Sequence, residues 1–246
     1  MTVVADQRKL DIELSHNQVG YLSDHRARFY EEFNSMIVPL NSCRITHAQK
    51  ANPVICSDTI RDFRLSTKVN RNGVEGVGSI EAKIQGKDII VTEAVIREVL
   101  KFGDQTQHPT SFGKDKVRFL VHVFLLCISV NKNGLDQLNQ IQTSAMVALV
   151  NDRDYNFTTF IFDNMRRMLE NPKKKIFMLY PIFVQMILDE KYPELVKSAN
   201  LLNLKPMGPS CFDMVKRSRE SAKKHQFLGK YPLDKFRKCW NLKVYA

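Results

Sequence analysis

A chain of 246 residues with 43% hydrophobic and 26% charged residues has ordinary globular composition. Its length suits one large domain or two small ones around a sizeable core. A mean hydropathy of -0.28 argues against a polytopic membrane protein. The net charge of +11 is unevenly spread: Lys205 to Ala246 holds eleven basic and three acidic residues, +8 in all, leaving +3 for everything before it.

The N-terminal stretch MTVVADQRKLDIEL has no long apolar run of the kind a secretory signal peptide needs, and residues 1–23 read as loosely ordered. From Asp24, Phe29, Phe33, Ile37 and Leu40 recur every three or four residues, which predicts a helix that Pro39 ends or bends. A second helix is expected from about Ser57, with Ser57 or Asp58 as its N-cap and Ile60, Phe63 and Arg64 following.

The period then changes. In SIEAKIQGKDIIVTE, Ile80, Ala82 and Ile84 alternate with Glu81 and Lys83, and Lys87 to Val91 returns after Gln85-Gly86, where glycine tolerates positive φ. This predicts a β-hairpin. Thr92 is the expected N-cap of the next helix, with Glu93 near its positive end, Val95, Ile96, Val99 and Leu100 as its apolar face, and Gly103 as its stop.

After the loop GDQTQHPTSFG comes FLVHVFLLCISV, residues 119–130, in which His122 and Ser129 are the plainly polar positions. The run is too short for a membrane-crossing helix, which takes about 20 apolar residues. A helix over Lys114 to Val130 would align Arg118, His122, Leu125 and Ser129 on one stripe and be apolar elsewhere, as central core helices are. A strand is the competing reading, because β-branched and aromatic residues are frequent here. Further helices are expected over Leu135–Val150, with Leu138, Ile141, Ala145, Met146 and Leu149 inward, and over Thr158–Leu169, ended by Asn171-Pro172. The run IFMLYPIFVQMILDE holds another, with Pro181 in its first turn, where a missing N–H costs nothing.

Chemistry-bearing motifs are sparse. Cys43, Cys56, Cys127, Cys211 and Cys239 are widely spaced without a CxxC pair, which suggests reduced thiols in the cytosol or nucleus and no tetrahedral metal site. His122 lacks a partner in any motif, so a hydrogen-bonded core histidine is the favoured reading over a base or ligand. The glycines of GVEGVG, Gly73 to Gly78, are not in dinucleotide-binding order and precede a strand instead of following one. Asp163 with Glu170, or Asp189 with Glu190, read as helix-surface acids sooner than as a glycosidase pair.

The C-terminal segment interleaves cations with Phe227, Tyr231, Phe236, Trp240 and Tyr245. Cations bind phosphate and release counterions, while aromatic rings stack on unpaired bases. Its candidate nucleic-acid-binding residues are Lys216, Arg217, Arg219, Lys223, Lys224, Lys230, Lys235, Arg237, Lys238 and Trp240. A solvated basic terminus is the plainer alternative. Lys216-Arg217 with Lys223-Lys224 also fits a weak nuclear-localisation pattern.

Several runs in fixed order carry a family resemblance. They are NPVICSDTIRDF, IEAKIQGKDIIVTEAVIREVLKFGD, the apolar run with His122, the CISVNKNGLDQLN run from Cys127 to Asn139, YNF at Tyr155 to Phe157, FDNM at Phe162 to Met165, and MLYPIFVQMI from Met178 to Ile187. Over roughly Phe29 to Met207 the chain resembles the Gag-like N-terminal region of plant retrotransposon polyproteins and related transposon-derived open reading frames. Two departures stand out. Arg64 occupies a position where related sequences usually carry tryptophan, and Arg118 directly abuts Phe119 where they usually carry an intervening stretch, as in a degenerate copy. Some similar plant sequences carry the label synaptobrevin or longin-like, which would call for a five-stranded sheet.

The expectation is therefore an α+β, predominantly helical fold: a helical core with a small antiparallel hairpin or sheet near residues 77–91 and a central helix near 115–130. The mainly helical Gag-like domain would span 24–206 and the basic tail 207–246. The resemblance implies a non-enzymatic protein that self-associates and binds RNA or single-stranded DNA weakly, in the cytoplasm or nucleus. No cofactor, metal, small-molecule substrate or membrane insertion is expected. The alternative is a longin-like interaction module in vesicle trafficking.

Overall fold

A computed structural model describes residues 10–12, 41, 43–71, 78–102, 114–129, 139–150, 153–170, 176–178, 180–202 and 204. The helix expected from Asp24, the Asn171-Pro172 stop and the tail from Lys205 onward lie outside these residues. In the stretch expected to be loosely ordered, Leu10–Ile12 forms strand β1.

The remaining elements, in chain order, are helix α1 (Thr46–Lys50), β2 (Ile55–Cys56), α2 (Ser57–Ser66), β3 (Lys68–Asn70), β4 (Ser79–Ile84), β5 (Lys87–Val91) and α3 (Glu93–Leu100). They are followed by α4 (Lys114–Cys127), α5 (Gln140–Val150), α6 (Phe157–Glu170), β6 (Ile176–Met178), α7 (Pro181–Lys191) and β7 (Leu201–Leu202). The fold is α+β and predominantly helical. The strands form an antiparallel sheet in the order β3-β4-β5, an antiparallel pair β2-β7 and a parallel pair β1-β6. Among the described residues the largest sheet thus has three strands, and no helix is long and apolar enough to cross a membrane.

The hairpin follows from its alternation. Ile80, Ala82 and Ile84 are buried on the same face as Ile89 and Val91 of β5. Its turn places Gln85 at φ 50° and Gly86 at φ 81°, the left-handed pair that matches the twist of the flanking strands. Glutamine is a costly choice there. It is held because its side chain accepts from the Val196 N–H at 2.9 Å and donates to the Val196 carbonyl at 2.8 Å.

Against this sheet pack α2 and α6, and α3 joins α6 and α7. Thr92 caps α3 as its sequence suggests, accepting from the Val95 N–H at 3.3 Å. The stop differs: α3 ends at Leu100, with Lys101 left-handed at φ 51° and its N–H donating to the Arg97 carbonyl. The first residue of α2 also differs from expectation. Cys56 occupies the N-cap, and Ser57 and Asp58 lie inside the helix, because the Ser57 N–H and hydroxyl are both taken up by the Asn200 carbonyl.

The apolar run at 119–130 is a helix through Cys127, not a strand, and α4 continues unbroken across Arg118–Phe119. Leu120, Val121, Val123, Phe124, Leu125, Cys127 and Ile128 are all buried, as a core helix requires. Of the expected polar stripe, Ser129 is buried too and accepts a 2.6 Å hydrogen bond from the Gln142 amide. Helix α5 starts at Gln140 with a reciprocal cap: the Gln142 N–H donates to the Asn139 side chain, and the Asn139 N–H donates to the Gln142 side chain, each at 2.9 Å. Its buried face is Gln142, Ala145, Met146 and Leu149, whereas Ile141, expected inside, is exposed.

Helix α6 buries Phe157, Phe160, Ile161, Phe162 and Met165. The run after Lys175 divides between β6 and α7, with Pro181 in the first turn of α7. Tyr180, between them, is fully buried; its hydroxyl donates to the Ile128 carbonyl at 3.0 Å, fastening α7 to the end of α4.

Candidate functional site

None of Lys216, Arg217, Arg219, Lys223, Lys224, Lys230, Lys235, Arg237, Lys238 and Trp240 falls among the described residues, so the structure places no predicted site residue beside another. His122 lies in α4, and its side chain is outside the described residues. The four candidate carboxylates lie on α6 and α7. Asp163 pairs with Arg166 at 2.9 Å, Glu170 with Arg71 at 3.0 Å, and Asp189 with Lys197 at 2.9 Å. Opposite charges of this kind belong to a solvated helix surface, not to an acid–base pair. Among the described residues, no cluster of histidine, cysteine and carboxylate side chains could hold a metal ion.

Two other constellations emerge. At the N-terminus of α2, the Thr59 hydroxyl donates to the Cys56 sulfur at 2.9 Å, and the Ser198 hydroxyl lies 3.3 Å from it. The Cys56 N–H donates to the Gln185 side chain at 2.9 Å, and Gln185 in turn donates to Asp189. Burial opposes ionisation of the Cys56 thiol, but the hydrogen bonds from Ser198 and Thr59 outweigh it and hold the thiol below its ordinary value of 9.0. Cys43 shows the contrary balance: burial dominates and raises its thiol above that value. Both cysteines are shielded from solvent, so the α2 cluster acts as a tie between β2, α7 and the segment after it.

The larger constellation is an open cleft of about 380 Å³ lined by Arg44, Arg97, Phe102, Asp154, Tyr155, Asn156, Phe157 and Thr158. Its floor is set by the start of α6, where the Asn156 side chain accepts from the Thr159 N–H at 3.0 Å. Its lining includes three aromatic residues, of which Phe102 and Phe157 are buried. Phe102 and Phe157 have ring centroids 5.9 Å apart, and Tyr155 and Phe157 4.9 Å apart at a tilt of 59°. Arg97 reaches the cleft from α3, which is joined to α6 by the 2.7 Å hydrogen bond from Thr159 to Glu93. Arg44 comes from the turn before α1 and meets Asp154 at 2.8 Å. Burial raises the Tyr155 phenol above its ordinary value, so it stays neutral.

These residues come from segments around 44, 97–102 and 154–158, so no local pattern announces them. The nearest signals are Asn156 as a helix start and the YNF run, which the sequence marks only as part of a resemblance.

What the geometry defines is a class: a predominantly helical α+β protein with one arginine- and aromatic-lined cleft on its described body. Comparison of the chain with protein-family models, curated proteins and solved structures finds no match.

Proposed function

We propose that this chain is a non-enzymatic, retroelement-derived Gag-like protein that self-associates and binds RNA or single-stranded DNA without sequence preference through its basic C-terminal segment. The observation that carries the reading is the charge segregation, +8 of the net +11 lying after Leu204 and interleaved with Phe227, Tyr231, Phe236, Trp240 and Tyr245. Such a segment neutralises phosphates by counterion release and offers rings for stacking. The ordered runs that resemble the Gag-like family support it in a second way. Where described, their residues pack and cap: Cys127, Met178 and Tyr180 are buried, and Asn139 caps α5. That suits a scaffold whose working part lies elsewhere. A cytoplasmic or nuclear location goes with this reading.

The test is binding of a labelled RNA by the full chain and by a chain truncated at about Met207, with light scattering at two salt concentrations. The full chain is expected to bind with an affinity that falls as salt rises, by a slope of about 0.7 per phosphate contacted on a single strand. Truncation should abolish that salt-dependent binding. Equal binding by both chains overturns the proposal.

A further inference from the structure

We infer that the outer edge of β5 is the surface through which two copies of this chain associate, pairing antiparallel about a two-fold axis at Ile90 when the Tyr192 hydroxyl gives way. The inference rests on the self-association reading above and names the surface that carries it.

The register of the hairpin fixes which backbone groups the edge offers. Ile84 faces Lys87 across the two-residue turn, Ala82 faces Ile89 and Ile80 faces Val91. In an antiparallel pair, alternate residues direct their N–H and C=O toward the neighbouring strand. The groups of Asp88 and Ile90 therefore point away from β4, as the two hydrogen bonds between the Ile90 backbone and the Tyr192 hydroxyl require. Thr92 continues the extended path, at φ −117° and ψ 170°, before α3 begins.

The side chains select a second copy as the partner. On the solvent face of β5, Ile90 is apolar and 45% exposed, while on the other face Ile89 and Val91 are buried. A two-fold axis at Ile90 sets Ile90 against its own copy, Ile89 against Val91, and the Asp88 carboxylate against the Thr92 hydroxyl. Apolar groups then meet apolar groups on both faces, and no like charges are opposed. An axis at Asp88 would oppose two carboxylates, and an axis at Ile89 would set Ile90 against Asp88. The edge is thus complementary to itself in one register.

The obstacle is a single hydroxyl. The segment after α7 is also tied to the hairpin by Gln85 on the Val196 backbone and by Lys87 on Glu194, but both ties lie outside the pairing residues 88–92. Tyr192 lines a cavity of about 120 Å³ with Leu195 of that segment and with Gln185 and Leu188 of α7. That volume is close to the roughly 150 Å³ that takes a benzene ring. The phenol has space to turn inward and leave the Ile90 groups to a partner.

The experiment follows the full chain, freed of nucleic acid by nuclease treatment, by sedimentation equilibrium across a dilution series. The parent should form a dimer. Ile90→Lys alters an exposed position and sets two like charges at the axis, so it should weaken the dimer by about tenfold or more. Ile90→Thr, which keeps a β-branched residue on the strand, should weaken it in the same direction and serves if lysine perturbs the fold. Tyr192→Phe should strengthen the dimer about tenfold, the scale of the competing hydrogen bonds it removes. The register is read with Ile90→Cys and Asp88→Cys, each combined with Cys211→Ser and Cys239→Ser and treated with oxidised glutathione. Cα atoms at the axis lie about 5.5 Å apart, within disulfide reach, whereas position 88 lies about 14 Å from its copy. Ile90→Cys should therefore give a disulfide-linked dimer and Asp88→Cys none. A dimer linked through position 88 and not 90, or a dimer that neither Ile90→Lys nor Ile90→Thr weakens, would overturn the inference and leave self-association through another surface. A parent and a Tyr192→Phe variant that both stay monomeric would overturn the inference and the self-association reading together.

Discussion

The Tyr192 hydroxyl closes the outer edge of β5: it accepts from the Ile90 N–H at 2.9 Å and donates to the Ile90 carbonyl at 3.3 Å. Those are the two groups an added strand would use, and an unprotected sheet edge is a template for association. Gln85 engages the Val196 backbone in the same two-bond manner at the other end of this strand. The segment after α7 therefore covers the hairpin through single side chains instead of a further strand. Replacing Tyr192 by Phe should lower stability by about 0.5–1.5 kcal/mol. Urea unfolding reads that loss, and light scattering across a dilution series should show stronger association of the variant than of the parent.

Gly86→Ala isolates the cost of the hairpin turn. Nothing lies within 4 Å of a Cβ built at Gly86, so the added methyl meets no neighbour, yet the backbone stays at φ 81°. The expected destabilisation is about 1–2 kcal/mol, from the left-handed conformation alone. Thermal unfolding of Gly86→Ala beside Gln85→Ala separates this cost from the loss of the Val196 hydrogen bonds.

Gln185→Leu tests the buried polar tie between α7 and α2. Gln185 is almost completely buried and is the acceptor for the Cys56 N–H. Leucine fills similar volume but leaves that N–H unpaired, at a cost of about 1–3 kcal/mol. A lower urea midpoint with an unchanged slope is the expected result. A parent-like midpoint would mean that the Cys56 N–H finds another partner.

Acid should destabilise the fold through exposed carboxylates with defined partners. The Ser198 hydroxyl and the Asn200 amide hold Asp58 below its ordinary value of 3.8. Arg71 lowers Glu170, and Lys87 lowers Glu194, each from 4.5. Because the folded-state values lie below the unfolded ones, these groups contribute stability that is fully present above the ordinary values and is lost as pH falls through the folded ones. Unfolding midpoints measured from neutral pH downward should fall in that acid window, and less steeply in Asp58→Asn.

The hairpin and its Gln85-Gly86 turn, the Thr92 cap and the core character of α4 were all legible in residue order. Each depends on groups within a few residues of one another. Ser57 and Asp58 fit the N-cap rule and Cys56 does not, and only the distant Asn200 carbonyl decides the boundary. Ile141 has the spacing of an inward residue and turns outward, because the Asn139–Gln142 cap and the Gln142–Ser129 hydrogen bond set the rotation of α5. The two- and three-residue strands of the two outlying pairs, β1, β2, β6 and β7, carry too little period to be read. They exist because partners far along the chain, Leu10–Ile12 among them, lie alongside.

By itself, then, the order of residues determined the fold class, the hairpin, the buried central helix and the concentration of positive charge after Leu204. Hydrophobic period and charge are properties of neighbours in the chain. The cleft was decided by tertiary structure alone. Arg44, Arg97 and Tyr155 line one cleft only when the turn before α1, α3 and the start of α6 are packed together. No periodicity encodes that meeting.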